Sequence, residues 1–434
     1  MTAATKDAMT GVGNAVEARL PRLLPATGQP AELAEHLRVH GPTPYRGGPR
    51  LLINTIQAAG LTGRGGAAFP AHRKLTAVAS QRGESVVVGN GAEGEPASDK
   101  DKALLWSCPH LVFDGLQLAA ETVGARQVHL YVHRHPALLQ RLQVALAQRA
   151  AAGLDRTAVS LVTAPPRFLA GEETAVISRV EGGPTLPRFT TRRIFERGVN
   201  GAPTLVSNVE TLAHLALVAR YGPGWFRAVG TKQEPGSMLT TVRRADGGGG
   251  VQEIAIGAPI ADLLGLDEHP AQAVLVGGYH GAWLPLEQAR RLTLSNADLR
   301  PLGAAIGAGV LAALPADRCG LLESAHVVQY LALESAGQCG PCLNGLPRIA
   351  ATLTQLAERR SAPAALDDLQ RWAQLVERRG ACHHPDGTVR FLRSALTVFA
   401  DEVTLHESGR CSAGTTEVFL PIPASSPGHA DDWS

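Results

Sequence analysis

Between Ser85 and Thr163, three short β-branched runs alternate with segments of helical spacing, and this rhythm limits the chain's architecture more than any other feature. Ser85–Val88, Gln127–Val132 and Ala158–Thr163 read as strands. Phe113–Val123 and Pro136–Ala152 read as helices, the second with its proline at the start, where a missing N–H costs nothing. Strands joined through helices pair in parallel and carry those helices on the sheet faces, with ligands expected at the loops after the strands. The predicted fold class is α/β, with a Rossmann-like domain over 49–234.

The flanking regions differ in character. Residues 1–48 are mixed and proline-punctuated, a leader expected to lie across other parts of the fold. Around Pro235 the pattern changes to short strands (MLTTVRR, VQEIAI, AVLVGGY, AWLPL), which predicts a small β-rich domain over 235–295 followed by a linker over 296–320. Residues 321–411 turn helical, with apolar stripes over Leu321–Glu334, Leu346–Arg360, Ala365–Arg379 and Val389–His406. The end, 412–434, is rich in Pro, Ser and Gly and is expected to be disordered. The N-terminus has no basic segment followed by an apolar run, and the longest apolar stretch, Gly303–Leu314, is about a dozen residues where a membrane span needs roughly 20. A cytoplasmic protein without direct membrane insertion is expected, and a net charge of +2 gives no field to attract nucleic acid.

Three glycine-rich loops interleave these strands. GLTGRGGAAFP (60–70) brings Gly63, Gly65 and Gly66 close together, with Lys74 beyond. Glycine backbone admits an anion closely and a lysine balances its charge, although a tight turn into a helix uses the same residues. GNGAEG (89–94) matches G-x-G-x-x-G in form only. Glu93 inside the loop would repel a pyrophosphate, and Pro96 and Asp99 replace the apolar start of a packed helix. Glu93 and Glu95 suit hydrogen bonds from sugar or ribityl hydroxyls, or else are solvated acids. FLAGEET (168–174) again pairs glycine with acids, Glu172 and Glu173.

Five of the six cysteines fall in the last third of the chain, which is too large to need disulfide staples. Cys339 and Cys342 form C-x-x-C between two helices, and Cys382 lies in a later interhelical loop. Such thiolates point to a metal or iron–sulfur site over a disulfide, with inert thiols as the alternative. His383, His384 and Cys411 are available as further ligands, while Cys108 and Cys319 read as ordinary buried small residues.

Together GLTGRGGAAFPAHRKL, GNGAEGEPASDKDK, GEETAVISRVEG, GAPTLVSNVETLAH and ESAGQCGPCLNG resemble, in order, the NADH-binding flavoprotein subunit of respiratory complex I and its relatives in soluble hydrogenases and formate dehydrogenases. The resemblance implies a Rossmann-like FMN domain, a β-grasp domain and a C-terminal four-helix bundle with a 4Fe–4S cluster. NADH would give a hydride to FMN, and single electrons would pass to the cluster. Partners implied are a thioredoxin-like 2Fe–2S subunit and further iron–sulfur or ferredoxin-like acceptors. Position by position, FMN contacts fall at Gly63, Gly65, Lys74, Asn90, Glu93, Gly171, Glu172, Glu173 and Asn208. Phe69 and Glu95 match residues near the nicotinamide, and Cys339, Cys342 and Cys382 match cluster ligands.

Departures from that family are specific. Its first cluster cysteine is replaced by Ala336, so the cluster is 4Fe–4S with another fourth ligand, 3Fe–4S, or incomplete. A stacking aromatic is replaced by Ala77, and an adenine-side lysine and phenylalanine by Thr190 and Arg193; Ala92 and Ser207 also depart. Losing a ring worth roughly 1–3 kcal/mol weakens NADH about 5- to 150-fold, whereas an arginine favours a phosphate, as in NADPH, or fills space. The sequence thus supports an electron-transfer flavoprotein subunit. Its rival is a degenerate structural or regulatory paralogue with a vestigial nucleotide site and metal on the remaining thiolates.

Overall fold

The computed structural model describes residues 19–360, 362–423 and 433. The chain enters through α1 (Leu33–His40), α2 (Pro49–Ala59) and α3 (Ala71–Ala79). It then runs β1 (Ser85–Gly91), α4 (Lys100–Ser107), α5 (Pro109–Val123), β2 (Ala125–His133), α6 (Pro136–Ala151), β3 (Val159–Ala164), α7 (Glu173–Val180), β4 (Thr204–Asn208) and α8 (Val209–Arg227). The four strands form one sheet in the order β3-β2-β1-β4, and every neighbouring pair is parallel. Because the chain leaves β1 toward β2 on one side and returns with β4 on the other, the strand order reverses at β1. The crevice beyond the paired ends of β1 and β4 is where such a sheet binds ligands.

The three expected strands and both helices are present, with a fourth strand that the sequence reading did not separate. TLVSN is only five residues long and runs directly into α8, so no turn residue marks it. Helix α5 is buried along almost its whole length and starts at Pro109. Its end is marked by Gly124, whose left-handed backbone costs a glycine nothing.

The second sheet comprises β5 (Ser237–Arg243), β6 (Gly249–Ala255), β7 (Ala271–Val276), β8 (Ala282–Pro285) and β9 (Val310–Pro315), with short helices α9 (Ile260–Leu264), α10 (Leu286–Ala289) and α11 (Asn296–Leu299). Its order is β6-β5-β9-β7-β8, and β5 and β9 pair in parallel at the centre, the pattern of a β-grasp unit. Residues 296–320, read as a linker, therefore carry the central strand. Every residue of β9 is buried, and the apolar run that ends in it is sheet core.

The C-terminal helices are α12 (Gly320–Leu333), α13 (Leu346–Ala357), α14 (Ala365–Val376), α15 (His384–Val398) and α16 (Ala400–Glu407). The single helix expected over Val389–His406 is divided at Phe399 (φ −107°, ψ 31°), whose ring packs edge-on to Trp283 of β8 at 5.3 Å between centroids. Two terminal segments are held by buried carboxylates. Within the leader, the N–H groups of Arg22 and Leu23 donate to Glu253 of β6 (2.6 and 2.7 Å); residues 1–18 lie outside the described residues. Residues 412–423, expected to be loose, lie against the fold instead. The N–H groups of Phe419 and Leu420 donate to Glu323 of α12, and the Tyr279 hydroxyl donates to the Pro421 carbonyl (2.7 Å).

Candidate functional site

Asn90 and Asn208 stand opposite each other at the paired ends of β1 and β4. The Asn90 amide donates to the Gly171 carbonyl (2.9 Å), tying β1 to the loop after β3. Asn208 caps α8 by accepting from the Glu210 N–H (3.0 Å) and donates to Asp101 (2.6 Å). Asp101 and Glu210 share the buried ammonium of Lys100, so the crevice floor is braced by an ion network that the sequence reading missed. Its members come from separate helix starts, and no spacing signal links them.

Above this floor, the glycine loop closes on itself through the Gly63 N–H donating to the Phe69 carbonyl (2.8 Å). Gly63, Gly65, Phe69, Lys74, Glu173 and Asn208 line a cleft of about 120 Å³. Arg64 turns away from it, and its buried guanidinium donates to Thr62 and to the Ser237 carbonyl of β5. Lys74 of α3 pairs with Glu173 across the cleft. Glu172 caps α7 by accepting from the N–H groups of Thr174 and Ala175 (2.9 and 3.0 Å). Glycine is required where the loops touch. A Cβ on Gly94 would lie 2.2 Å from the Phe168 carbonyl oxygen, and one on Gly171 would lie 2.9 Å from that of Ala92.

The two loop acids face inward, away from the cleft. Glu93 accepts from the Ser98 hydroxyl and from the N–H groups of Asp101 and Lys102 (both 3.3 Å) at the start of α4. Glu95 accepts from the N–H groups of Ala97 (3.1 Å) and Tyr279 (2.7 Å), which ties the first sheet to the second. Burial raises both carboxyls to about 7, with Asp101 adding to the effect at Glu93. Phe69 is 50% exposed at the cleft rim. Ala77 lies on α3, while Thr190 and Arg193 are exposed beside a second cleft of about 590 Å³ lined by Arg188, Phe189, Arg192 and Arg197. Phe189, 82% exposed, puts a ring next to Thr190 that the position-by-position comparison overlooked.

These features fit a flavin mononucleotide. The glycine loop offers backbone N–H groups, Lys74 offers a cation that would exchange Glu173 for a phosphate, and Asn90 and Asn208, engaged with Gly171 and Asp101, bracket the crevice. The loop after β3 also borders the bundle near the cysteines, because Phe168 packs against His384, two residues beyond Cys382 (5.7 Å between centroids).

Cys339 and Cys342 flank the start of a π-helical turn, Pro341–Gly345, that opens α13. Cys339 acts on both Cys342 and Cys382, which gathers the three thiols in one place. The backbone N–H groups of Gly337 and His384 favour the thiolates of Cys342 and Cys382 against the burial that disfavours them. Burial holds the Cys342 thiol up at about 12, a preference that a bound cation reverses. The donor set supplies three thiolates for an iron–sulfur cluster, and Ala336, three positions before Cys339, offers no ligand atom.

The other proposed ligands are engaged elsewhere or face outward. His384 uses one ring nitrogen on the Leu331 carbonyl (2.8 Å) and the other on His280 (3.1 Å). His383 is fully exposed. Cys411 lies with Cys319, Glu402 and His406, away from its predicted role beside the three thiols, and Cys319 is thus not an isolated core residue.

Comparison with known proteins agrees with this geometry. Residues 56–217 match the Nuo51 FMN-binding domain, and residues 323–406 match the NADH-ubiquinone oxidoreductase-F iron-sulfur binding region. An NADH-quinone oxidoreductase subunit of Rhizobium meliloti (strain 1021) is 26% identical over 383 residues, which cover 84% of this chain and 90% of that protein. The NAD-reducing hydrogenase HoxS subunit alpha of Cupriavidus necator is 27% identical over 414 residues, covering 87% of this chain and 67% of that one. A crystal structure of an NAD+-reducing [NiFe]-hydrogenase in the H2-reduced state superposes with a TM-score of 0.79 at 28% identity, over 88% of this chain and 65% of that chain.

Proposed function

The chain is a divergent member of the NADH-dehydrogenase flavoprotein subunit family, with an FMN-binding domain followed by a 4Fe–4S-binding region, and from that premise we propose that it is a cytoplasmic electron-transfer subunit served by a nicotinamide donor. The observation that carries this reading is the loop after β3. It is fixed to β1 through Asn90 and Gly171, faces Lys74 through Glu173, and packs Phe168 against His384, two residues from Cys382 (5.7 Å between centroids), so one short segment borders both the flavin and the cluster residues. Bound FMN would supply hydride acceptance and release of single electrons, and a cluster on Cys339, Cys342 and Cys382 would accept them.

The protein's own contribution is position and field. Gly63 and Gly65 present backbone to the phosphate end, Lys74 balances its charge, and Asn90 and Asn208 orient the ring edge. Glu93 and Glu95 act as positioning residues: their carboxyls fix α4 and the second sheet around the crevice. Phe69 at the rim offers a face for the nicotinamide, with Phe189 beside the second cleft for the adenine end. The arginines lining that cleft suit a phosphorylated ribose, which makes NADPH a donor to test beside NADH. Sister proteins, a thioredoxin-like 2Fe–2S subunit and further iron–sulfur or ferredoxin-like acceptors, would take the electrons onward.

Anaerobic purification followed by a visible spectrum, flavin and iron assays, and dye reduction with NADH and NADPH tests the reading. Flavin and iron bound together, with turnover on one donor, is expected. A colourless protein lacking both would overturn it in favour of the non-catalytic paralogue. Flavin present without nicotinamide turnover would leave a ferredoxin-like donor in place of NADH.

A further inference from the structure

Four donor side chains meet at the far side of the bundle, at residues that neither the flavin nor the cluster reading uses. Cys319 precedes α12, Glu402 and His406 lie one turn apart on α16, and Cys411 follows that helix. Their ligand atoms, one from each residue, all lie within 4.8 Å of one another, and all but Cys411 are buried. We propose that Cys319, Glu402, His406 and Cys411 form a structural zinc site that clasps the chain after the last helix onto the bundle.

The donor chemistry selects the metal. Two thiolates, one imidazole and one carboxylate are the mixed soft and borderline set that a tetrahedral zinc ion takes. With Zn–S about 2.3 Å and Zn–N about 2.0 Å, the sulfur-to-nitrogen edge of a tetrahedron is about 3.5 Å. The Cys319 Sγ to His406 Nε2 distance is 3.5 Å, Cys319 Sγ to Glu402 is 3.9 Å, and Glu402 to His406 Nε2 is 2.9 Å. Four such groups, packed this closely and mostly buried, are placed to share one cation.

The surrounding contacts orient each ligand as a metal site requires. His406 Nδ1 faces the Leu356 carbonyl (3.2 Å), which aims Nε2 at Cys319 and Glu402, where a metal would replace the Nε2–Glu402 contact. Cys319 Sγ accepts the Leu322 N–H (3.3 Å) at the start of α12; burial pushes its thiol up to about 12, a preference that a bound cation reverses. Glu402 accepts the Ser412 N–H (3.0 Å) and hydroxyl. Cys411 and Ser412 open the segment whose next residues cover the bundle through Phe419 and Leu420 on Glu323. Zinc here would therefore hold in place a segment with no secondary structure of its own.

Metal analysis of the whole chain, purified anaerobically, tests this independently of turnover. Zinc stoichiometric with protein is expected beside iron and flavin. Cys411→Ser, at the partly exposed corner, should remove the zinc while leaving iron and flavin unchanged, and should expose residues 411–423 to protease. Cys342→Ser should do the reverse, losing iron and keeping zinc. Cobalt substitution of the unmutated chain should give a thiolate-to-cobalt charge-transfer band and the intense visible bands of a tetrahedral ion, a readout that needs no variant to fold. Zinc absent from the parent, zinc retained in Cys411→Ser, zinc lost in Cys342→Ser, or a Cys319–Cys411 disulfide in the intact mass would each overturn the assignment.

Discussion

Glu95 shows how one residue type serves two ends. Its carboxyl is raised from 4.5 to about 7 because burial disfavours the charge more than the Tyr279 and Ala97 N–H groups favour it. The folded protein therefore holds this proton over a range where the unfolded chain releases it. The stabilisation is complete below about pH 4.5 and is lost as pH rises toward about 7, with a slope approaching 1.4 kcal/mol per pH unit. A Glu95→Gln variant cannot titrate, so urea unfolding of flavin-free protein should show the parent's advantage over the variant shrinking between about pH 5 and about pH 7. A widening gap would mean the carboxylate, not the acid, is the favoured form. Ala336 offers a second single-residue test. It precedes Cys339 by three positions in the loop after α12, half-buried, at the position in the chain that matches the family's first cluster cysteine. Ala336→Cys should raise iron per chain and abolish the three-iron EPR signal that an oxidant produces in the parent; an unchanged signal would place the open corner elsewhere.

At the scale of elements, the loops matter through their contacts with each other. Gly94 passes so close to the Phe168 carbonyl that a methyl group there would sit 2.2 Å from its oxygen. The backbone cannot yield without parting β1 from the loop after β3. Gly94→Ala should cost about 1–3 kcal/mol in stability and sharply lower flavin retention, measured by unfolding and by the flavin-to-protein ratio of the purified protein. The glycines and acids of these loops were legible in the sequence, because few other uses explain glycine and glutamate together after a strand. Their orientation was not. Lys74 meets Glu173 and Glu95 meets Tyr279 only after folding, and the second pair is 184 positions apart in the chain. Strands β1 to β3 were legible as short apolar, β-branched runs, whereas β4 runs into α8 without a turn. The apolar run ending in β9 reads the same as linker or as sheet core. The break at Phe399 was hidden because apolar spacing continues across it, and the fourth corner of Cys319, Glu402, His406 and Cys411 depends on folding back over 92 residues.

For the molecule as a whole, the question is how two sheets and a bundle act as one conductor. The loop after β3 is their meeting point. Phe168 packs edge-on against His280 of the second unit (4.6 Å between centroids) and tilted against His384 of α15 (5.7 Å). Glu334, at the end of α12, accepts the Phe168 N–H (2.9 Å) and pairs with the buried guanidinium of Arg167 (3.1 Å). One carboxylate thus anchors the bundle to the segment that also carries Gly171, Glu172 and Glu173. Glu334→Ala removes the acceptor of the Phe168 N–H and one partner of Arg167, and should lower the unfolding free energy by about 1–3 kcal/mol. Its functional effect should be more specific than its cost. The crevice residues on β1 and β4 stay in place, so flavin should still bind and still be reduced by the nicotinamide donor in stopped-flow absorbance. The bundle loses its anchor on the loop that carries Phe168, which packs on His384 near Cys382, so reduction of the iron–sulfur chromophore after the flavin should slow several-fold. Equal slowing of both steps would show that the loop serves the flavin alone, and no change in either would show that the bundle docks without it.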